Sequence, residues 1–151
     1  MSDSLSVYLH DHLAGANYAV EVLEFLRDQG EPHSGVAAGL LAEIEEDRAV
    51  LRRIAETVGD NVSTVKEVTA WVGEKISEFK LSKGGFGVFQ AWEIVALGIV
   101  GKLALWEALD LVSQKKPDLK QFDLDSLQVR AQDQHRRAEW ARLDAAKVVL
   151  G

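Results

Sequence analysis

Two acidic residues on a helix face that should be buried are the first candidates for chemistry. They lie in the stretch LLAEIEEDRAV, residues 40–50. At about 100° of rotation per helical residue, Glu43 and Asp47 fall on the same arc as Leu40 and Ile54. Burying a carboxylate costs several kcal/mol unless a cation or hydrogen bonds compensate it. Both side chains therefore require partners, which are either a metal ion or basic side chains.

Histidines occupy comparable positions on two other helical segments. His12 lies near the centre of the apolar face of the first segment, and His135 lies on that of the last. If neighbouring segments pair as antiparallel hairpins and the second and fourth segments run parallel, both histidines fall near the level of Asp47 at mid-bundle. Carboxylate oxygens together with imidazole suit iron or manganese. Glu93 and Glu107 lie on one side of the fourth segment and could complete the ligand set. The predicted metal ligands are therefore His12, Glu43, Asp47, Glu93, Glu107 and His135.

Ion pairs are the competing interpretation of the same acids. In each candidate pair an arginine falls level with an acid across a helix hairpin, or lies near it on the same helix. The pairs are Arg142 with Glu93, Arg130 with Glu107, and Arg48 or Arg52 with Asp47 or Glu43. On this interpretation the inward charges form a structural ion network that fixes how the helices align.

Apolar periodicity divides the chain into five helical segments and gives no convincing strand. Pro32 and Pro117 lie in connections between segments. The segments cover about 3–27, 35–57, 64–79, 88–112 and 123–150, and Ser34 is a good N-cap for the second. The fourth is apolar nearly all round and should be the most buried.

The third segment is the clue to topology. It carries an apolar stripe and is long enough for the chain to return along the whole bundle; the stripe consists of Val65, Val68, Val72, Ile76 and Phe79. The second and fourth segments would then run parallel, as in a four-helix bundle with a long crossover. A five-helix orthogonal array is the alternative.

Composition narrows the classes of function. The chain has 151 residues, no cysteine and a formal net charge of -7. We expect one domain over residues 1–151 and no nucleic-acid partner, because binding phosphates needs a basic surface. The apolar stretch 94–106 contains Lys102 and is shorter than the roughly 20 residues that span a bilayer. With no secretory signal at the N-terminus, the expected location is the cytoplasm.

Several stretches resemble the ferritin-like superfamily of four-helix bundles, within it a bacterial branch with a degenerate dimetal motif. They are YLHDHLAGA, EIEEDR, LGIVGKLALW and QDQHRRAEWARLDAA. The resemblance implies an all-α bundle with a crossover helix and, for an enzyme, a metal-dependent oxidoreductase using iron or manganese. The Glu-x-x-His ligand motif of the superfamily is replaced by EIEE at 43–46 and by QDQH at 132–135.

Two functions follow from these patterns. The first is transition-metal binding at mid-bundle through the six predicted ligands. The second is a non-catalytic helical protein for interaction or oligomerisation, held by a buried ion network. For that role Trp71, Trp92, Trp106 and Trp140 are packing or interface anchors. We expect a homodimer and lean away from catalysis.

Overall fold

The computed structural model describes residues 3–59 and 81–151, and that part of the chain is all-helical with no strand. Its elements are α1 (Asp3–Arg27), α2 (His33–Thr57), α3 (Gly84–Val112), a 3-10 helix (Pro117–Gln121) and α4 (Leu124–Leu150). The prediction of an all-α fold is confirmed for the described residues. The predicted third segment falls within 60–80, outside the described residues.

A tight turn joins α1 to α2. Gly30 has a φ of 79°, which a residue with a side chain rarely adopts. Its carbonyl oxygen accepts hydrogen bonds from the backbone amides of His33 and Ser34, at 3.1 and 3.0 Å. α2 therefore begins at His33, and the prediction of Ser34 as its N-cap is wrong. The turn holds α1 and α2 as an antiparallel hairpin.

The second hairpin joins α3 to α4 through the short 3-10 helix. α3 begins at Gly84, where φ is 72°, and so starts earlier than the predicted residue 88. Asp123 caps α4, since its Oδ1 accepts a hydrogen bond of 3.0 Å from the amide of Ser126. The buried Leu119 of the 3-10 helix anchors the connection to the core.

Among the helices of the described ranges, α3 contributes the most buried residues, as predicted. Trp92 and Trp106 are its largest buried side chains, at 0% and 1% exposed. Because the helix is apolar nearly all round, it also leaves apolar side chains outside: Leu97 is 72% exposed and Leu111 is 68% exposed. No helix in the described ranges is long and apolar enough to cross a membrane.

Polar contacts between the hairpins give the helix directions. Near the start of α2, His33 contacts Trp92 of α3, and further along α2, Asp47 contacts Lys102. Residue numbers rise together in these pairs, so α2 and α3 run parallel, as predicted. The contact of Glu43 with Arg137 and that of Glu46 with Arg130 run in opposite order, so α2 and α4 are antiparallel.

Candidate functional site

Asp47, one of the two inward acids, is held by the protein's own cation. Its side chain is 4% exposed, and Lys102 Nζ donates to Oδ2 at 2.6 Å. The same ammonium group donates to Gln134 Oε1, and Gln134 Nε2 donates to Asp47 Oδ2 at 3.1 Å. These three side chains from α2, α3 and α4 form a closed triangle of hydrogen bonds. It compensates both buried charges at once.

Glu43 lies one turn earlier on α2 and has a different partner. Arg137 Nη2 donates to its two carboxylate oxygens at 2.7 and 2.9 Å, and Gln134 Nε2 donates to Oε1 at 3.1 Å. Burial raises the pKa of Glu43, but the hydrogen bonds and charges of its partners outweigh burial and leave the pKa below its ordinary value of 4.5. Glu43 is therefore a paired carboxylate at neutral pH.

Arg130 completes this side of the bundle. Its Nη2 donates to the backbone carbonyl oxygen of Glu43 at 2.7 Å and to Glu46 Oε2 at 2.9 Å, and its Nε lies 3.6 Å from Asp47 Oδ1. Arg130, Gln134 and Arg137 are spaced by four and three residues, which places them on the face of α4 that meets α2. We call the six residues the ion network: Glu43, Asp47, Lys102, Arg130, Gln134 and Arg137.

Two predicted ion pairs need correction. Arg130 crosses to α2 and holds Glu46 and Glu43, not Glu107. Arg48 Nη1 donates to Asn17 Oδ1 of α1 at 3.0 Å, so Lys102 and not Arg48 is the near partner of Asp47. The predicted pair of Arg142 on α4 with Glu93 on α3 is confirmed, because Arg142 Nη1 lies 3.3 Å from Glu93 Oε2.

A cavity of about 80 Å³ lies between α1, α2 and α3, and Lys102 forms part of its wall. Much of its wall is aliphatic, including Leu51, Ile99 and Leu105. Gly15 and Gly98 also line it, both exposed, and neither would bring a Cβ within 4 Å of another group. The glycines leave this space between α1 and α3 and open it to the surface.

Polar groups from each of the three helices reach this cavity, among them His12, Asp47 and Lys102. Burial lowers the pKa of His12 below 6.5, opposed by the charge of Asp11, so the imidazole is neutral at pH 7. Burial also lowers the pKa of Lys102, opposed by Asp47. Trp106 lines the cavity too, and its buried Nε1 has no hydrogen-bond partner in the described part of the chain. A buried donor without a partner is uncommon and suggests an occupant.

The other predicted ligands lie elsewhere. His135 is 39% exposed, with Nε2 4.0 Å from Glu139 Oε2. Together with Glu93 and Arg142 it lines a separate groove between α3 and α4, not the cavity. Glu107 is exposed on α3. The expectation that His135 meets Asp47 and His12 at mid-bundle is therefore wrong.

The six predicted ligands thus divide between three places. His12 and Asp47 share the cavity, Glu43 and Asp47 share the ion network, and the remaining three lie outside both. Within residues 3–59 and 81–151, no group of three or more histidines and acids is arranged to hold a metal ion. Metal binding stays a prediction.

Sequence reasoning missed Lys102, Gln134 and Arg137 as functional residues. A signal for Lys102 was present: it is a single charge within an apolar stretch of α3, and a buried ammonium group requires a carboxylate. The parallel alignment of α2 with α3 places that lysine near Asp47. Gln134 gave no comparable signal, because a neutral amide is common on either face of a helix.

Comparison of the chain with protein-family models, curated proteins and solved structures found no match.

Proposed function

We propose that the protein is a ferritin-like four-helix bundle whose cavity binds a small organic molecule with an apolar body and one hydrogen-bond acceptor. The observation that carries this proposal is that Trp106, whose Nε1 has no partner in the described residues, lines the same cavity as Lys102. Both groups donate hydrogen bonds. An acceptor placed between them would satisfy the indole without disturbing the contact of Lys102 with Asp47.

The wall and size of the cavity define the rest of the ligand. Aliphatic side chains such as Ile44, Leu51 and Ile99 line most of it, and an apolar body gains free energy by leaving water. At about 80 Å³ the cavity is smaller than the roughly 150 Å³ cavity that takes benzene in an engineered protein. A molecule of about four or five heavy atoms, fewer than the six of benzene, fits this space, and a longer chain would leave between Gly15 and Gly98.

The ferritin-like assignment is supported by helix direction and by the resemblance in sequence. Two antiparallel hairpins with α2 parallel to α3 agree with a long-crossover bundle. Such bundles place ligand and cofactor sites among side chains that project inward from facing helices, which is where this cavity lies.

Metal binding is the second candidate, favoured by one observation. His12 and Asp47 line the same cavity, and the lowered pKa of His12 keeps its imidazole in the neutral form that metals require. The ion network disfavours it, because a metal on Asp47 would displace Lys102. Metal analysis of untagged protein, with thermal melts in Fe(II), Mn(II) and EDTA, tests this candidate. His12→Ala should abolish a metal-dependent rise in Tm, whereas the matched control His135→Ala should preserve it.

Nuclear magnetic resonance of the indole N–H groups tests the organic ligand. We expect 2-butanone and 1-butanol to shift the Trp106 Nε1 signal, because each carries an acceptor. The Trp92 signal is an internal control, since that N–H already donates to His33 Nδ1 at 3.1 Å. Trp106→Phe assigns the signal and should weaken binding about five- to tenfold, the equivalent of one hydrogen bond. If neither compound moves the Trp106 signal, or both move the Trp92 signal equally, the proposal is wrong.

A further inference from the structure

Lys102 differs from an ordinary surface lysine in its surroundings. Its side chain is 15% exposed, whereas that of Lys147 on α4 is 81% exposed. Lys102 lies within an apolar stretch of α3 and forms part of the cavity wall. A lysine amine removed from water in an apolar site is the usual form of a nucleophilic lysine.

The hydrogen bonds of Lys102 leave it able to react. An ammonium group has three donors. In the described part of the chain, its partners are Asp47 Oδ2 and Gln134 Oε1. Two donors are therefore used and the third has no protein partner there. Asp47 Oδ2, at 2.6 Å, is placed to take the proton that an amine must lose before it attacks carbon.

We propose that Lys102 forms a reversible imine with a small aldehyde or ketone bound in the cavity. This inference rests on the proposed function, and it identifies the acceptor of the ligand as a carbonyl oxygen. Trp106 Nε1 is then the donor that binds this oxygen and polarises the carbonyl carbon towards Lys102.

The reaction balances without an oxidant or reductant. The ammonium group of Lys102 passes one proton to Asp47, and the nitrogen lone pair forms a bond to the carbonyl carbon. The resulting carbinolamine loses its oxygen as water, using the proton from Asp47 and one from nitrogen. The one hydrogen that stays on nitrogen makes the product a protonated imine, and Asp47 is again a carboxylate. The net change is ammonium plus carbonyl compound to protonated imine plus water.

Charge explains why an imine is favoured over other lysine adducts. A protonated imine keeps a positive charge beside Asp47, so the buried ion pair survives. Acylation or carbamate formation would remove that charge and leave Asp47 without its near cation, which is costly for a buried carboxylate. The depressed pKa of Lys102, which burial causes, raises the fraction of neutral amine available for attack.

Reductive trapping tests the proposal on the full chain. The protein is incubated near pH 7 with butanal and cyanoborohydride, and the butyl groups are located by peptide mass spectrometry. We expect Lys102 to be modified at least about tenfold faster than Lys147, because the cavity holds butanal beside the Lys102 amine, whereas Lys147 meets it only from solution. Lys102→Arg, which keeps the charge beside Asp47, should abolish the fast adduct. The matched control Lys147→Arg should leave it unchanged.

The possible results separate the two proposals. If butanal and 1-butanol both shift the Trp106 indole signal but Lys102 gains no butyl group, the cavity binds ligands and the imine is wrong. If neither compound shifts that signal, the proposed function fails. Modification of Lys102 and Lys147 at equal rates also overturns the imine. Site mapping on the wild-type chain decides the question even if Lys102→Arg does not fold.

Discussion

The α2–α4 interface and the α1–α3 interface of this bundle bury polar groups in opposite ways. Between α2 and α4, long side chains such as Arg137 and Gln134 reach the acids of the facing helix and fill the space themselves. Between α1 and α3, Gly15 and Gly98 leave the space open, and Trp106 Nε1 points to no partner in the described residues. Lys102 belongs to both. Long polar side chains connect two helices and fill the interface between them, whereas small residues beside a buried donor leave a cavity in which a ligand can bind.

The largest expected effect comes from removing the residue that the two interfaces share. Lys102→Met leaves Asp47 buried without its near cation and should lower the free energy of unfolding by about 3–5 kcal/mol in urea titrations. Replacing both members, as in Asp47→Leu with Lys102→Met, should recover most of that loss. The control Arg142→Met, at the partly exposed pair with Glu93, should change stability less. Equal losses for the two single variants would contradict a special role for the buried pair.

The two buried tryptophans of α3 sharpen the comparison. Both are almost fully buried, yet Trp92 Nε1 donates to His33 Nδ1 at 3.1 Å and Trp106 Nε1 has no partner in the described residues. Replacement by Phe removes similar volume at either position, but only Trp92→Phe also breaks a hydrogen bond. We expect Trp92→Phe to cost about 1 kcal/mol more than Trp106→Phe in the same urea titration. The reverse order would mean that Trp106 is satisfied in the ligand-free protein.

As the pH is lowered, the α1–α3 interface should lose stability first, through His12, and the α2–α4 interface second, through Glu43. The pKa of His12 in the folded state is lowered, so its contribution to stability is complete above 6.5 and declines as the pH falls below that value. The pKa of Glu43 is also lowered, and its contribution is complete above 4.5 and is lost as the pH falls through the folded value. Unfolding free energies measured across this range should show both declines. His12→Gln should remove the first, and Glu43→Gln the second.

The smallest effect is expected at the mouth of the cavity. Gly98→Ala places a methyl group where no other group lies within 4 Å, and alanine favours a helix over glycine by about 1 kcal/mol. The Tm should therefore rise. Gly87→Ala on the same helix is the contrasting variant, because its Cβ would overlap the carbonyl oxygen of Ser82, and its Tm should fall. A fall for Gly98→Ala would show that the mouth is closed.

The sequence was sufficient to predict the helices of the described ranges and the burial of Asp47, because apolar periodicity indicates which face of a helix is buried. It was insufficient for the partners of the acids. Pairing helices across a hairpin predicts the level of a residue along the bundle, but it does not predict which neighbouring helix a long side chain reaches. The predicted partner of Arg130 is therefore Glu107, although the side chain extends to α2 instead. His135 was misplaced for a related reason: an apolar stripe is wide, and the edge of the stripe opens to a surface groove.

The polar contacts between the two hairpins also bear on the order of folding. Each hairpin closes through a short connection, so its contacts are local and should form early. The contacts of Asp47 with Lys102 and of Glu43 with Arg137 join residues far apart in the chain, and they need both hairpins to be present. Weakening them should leave the folding rate nearly unchanged and accelerate unfolding. The ion network would then determine how long the native bundle persists, more than how quickly it forms.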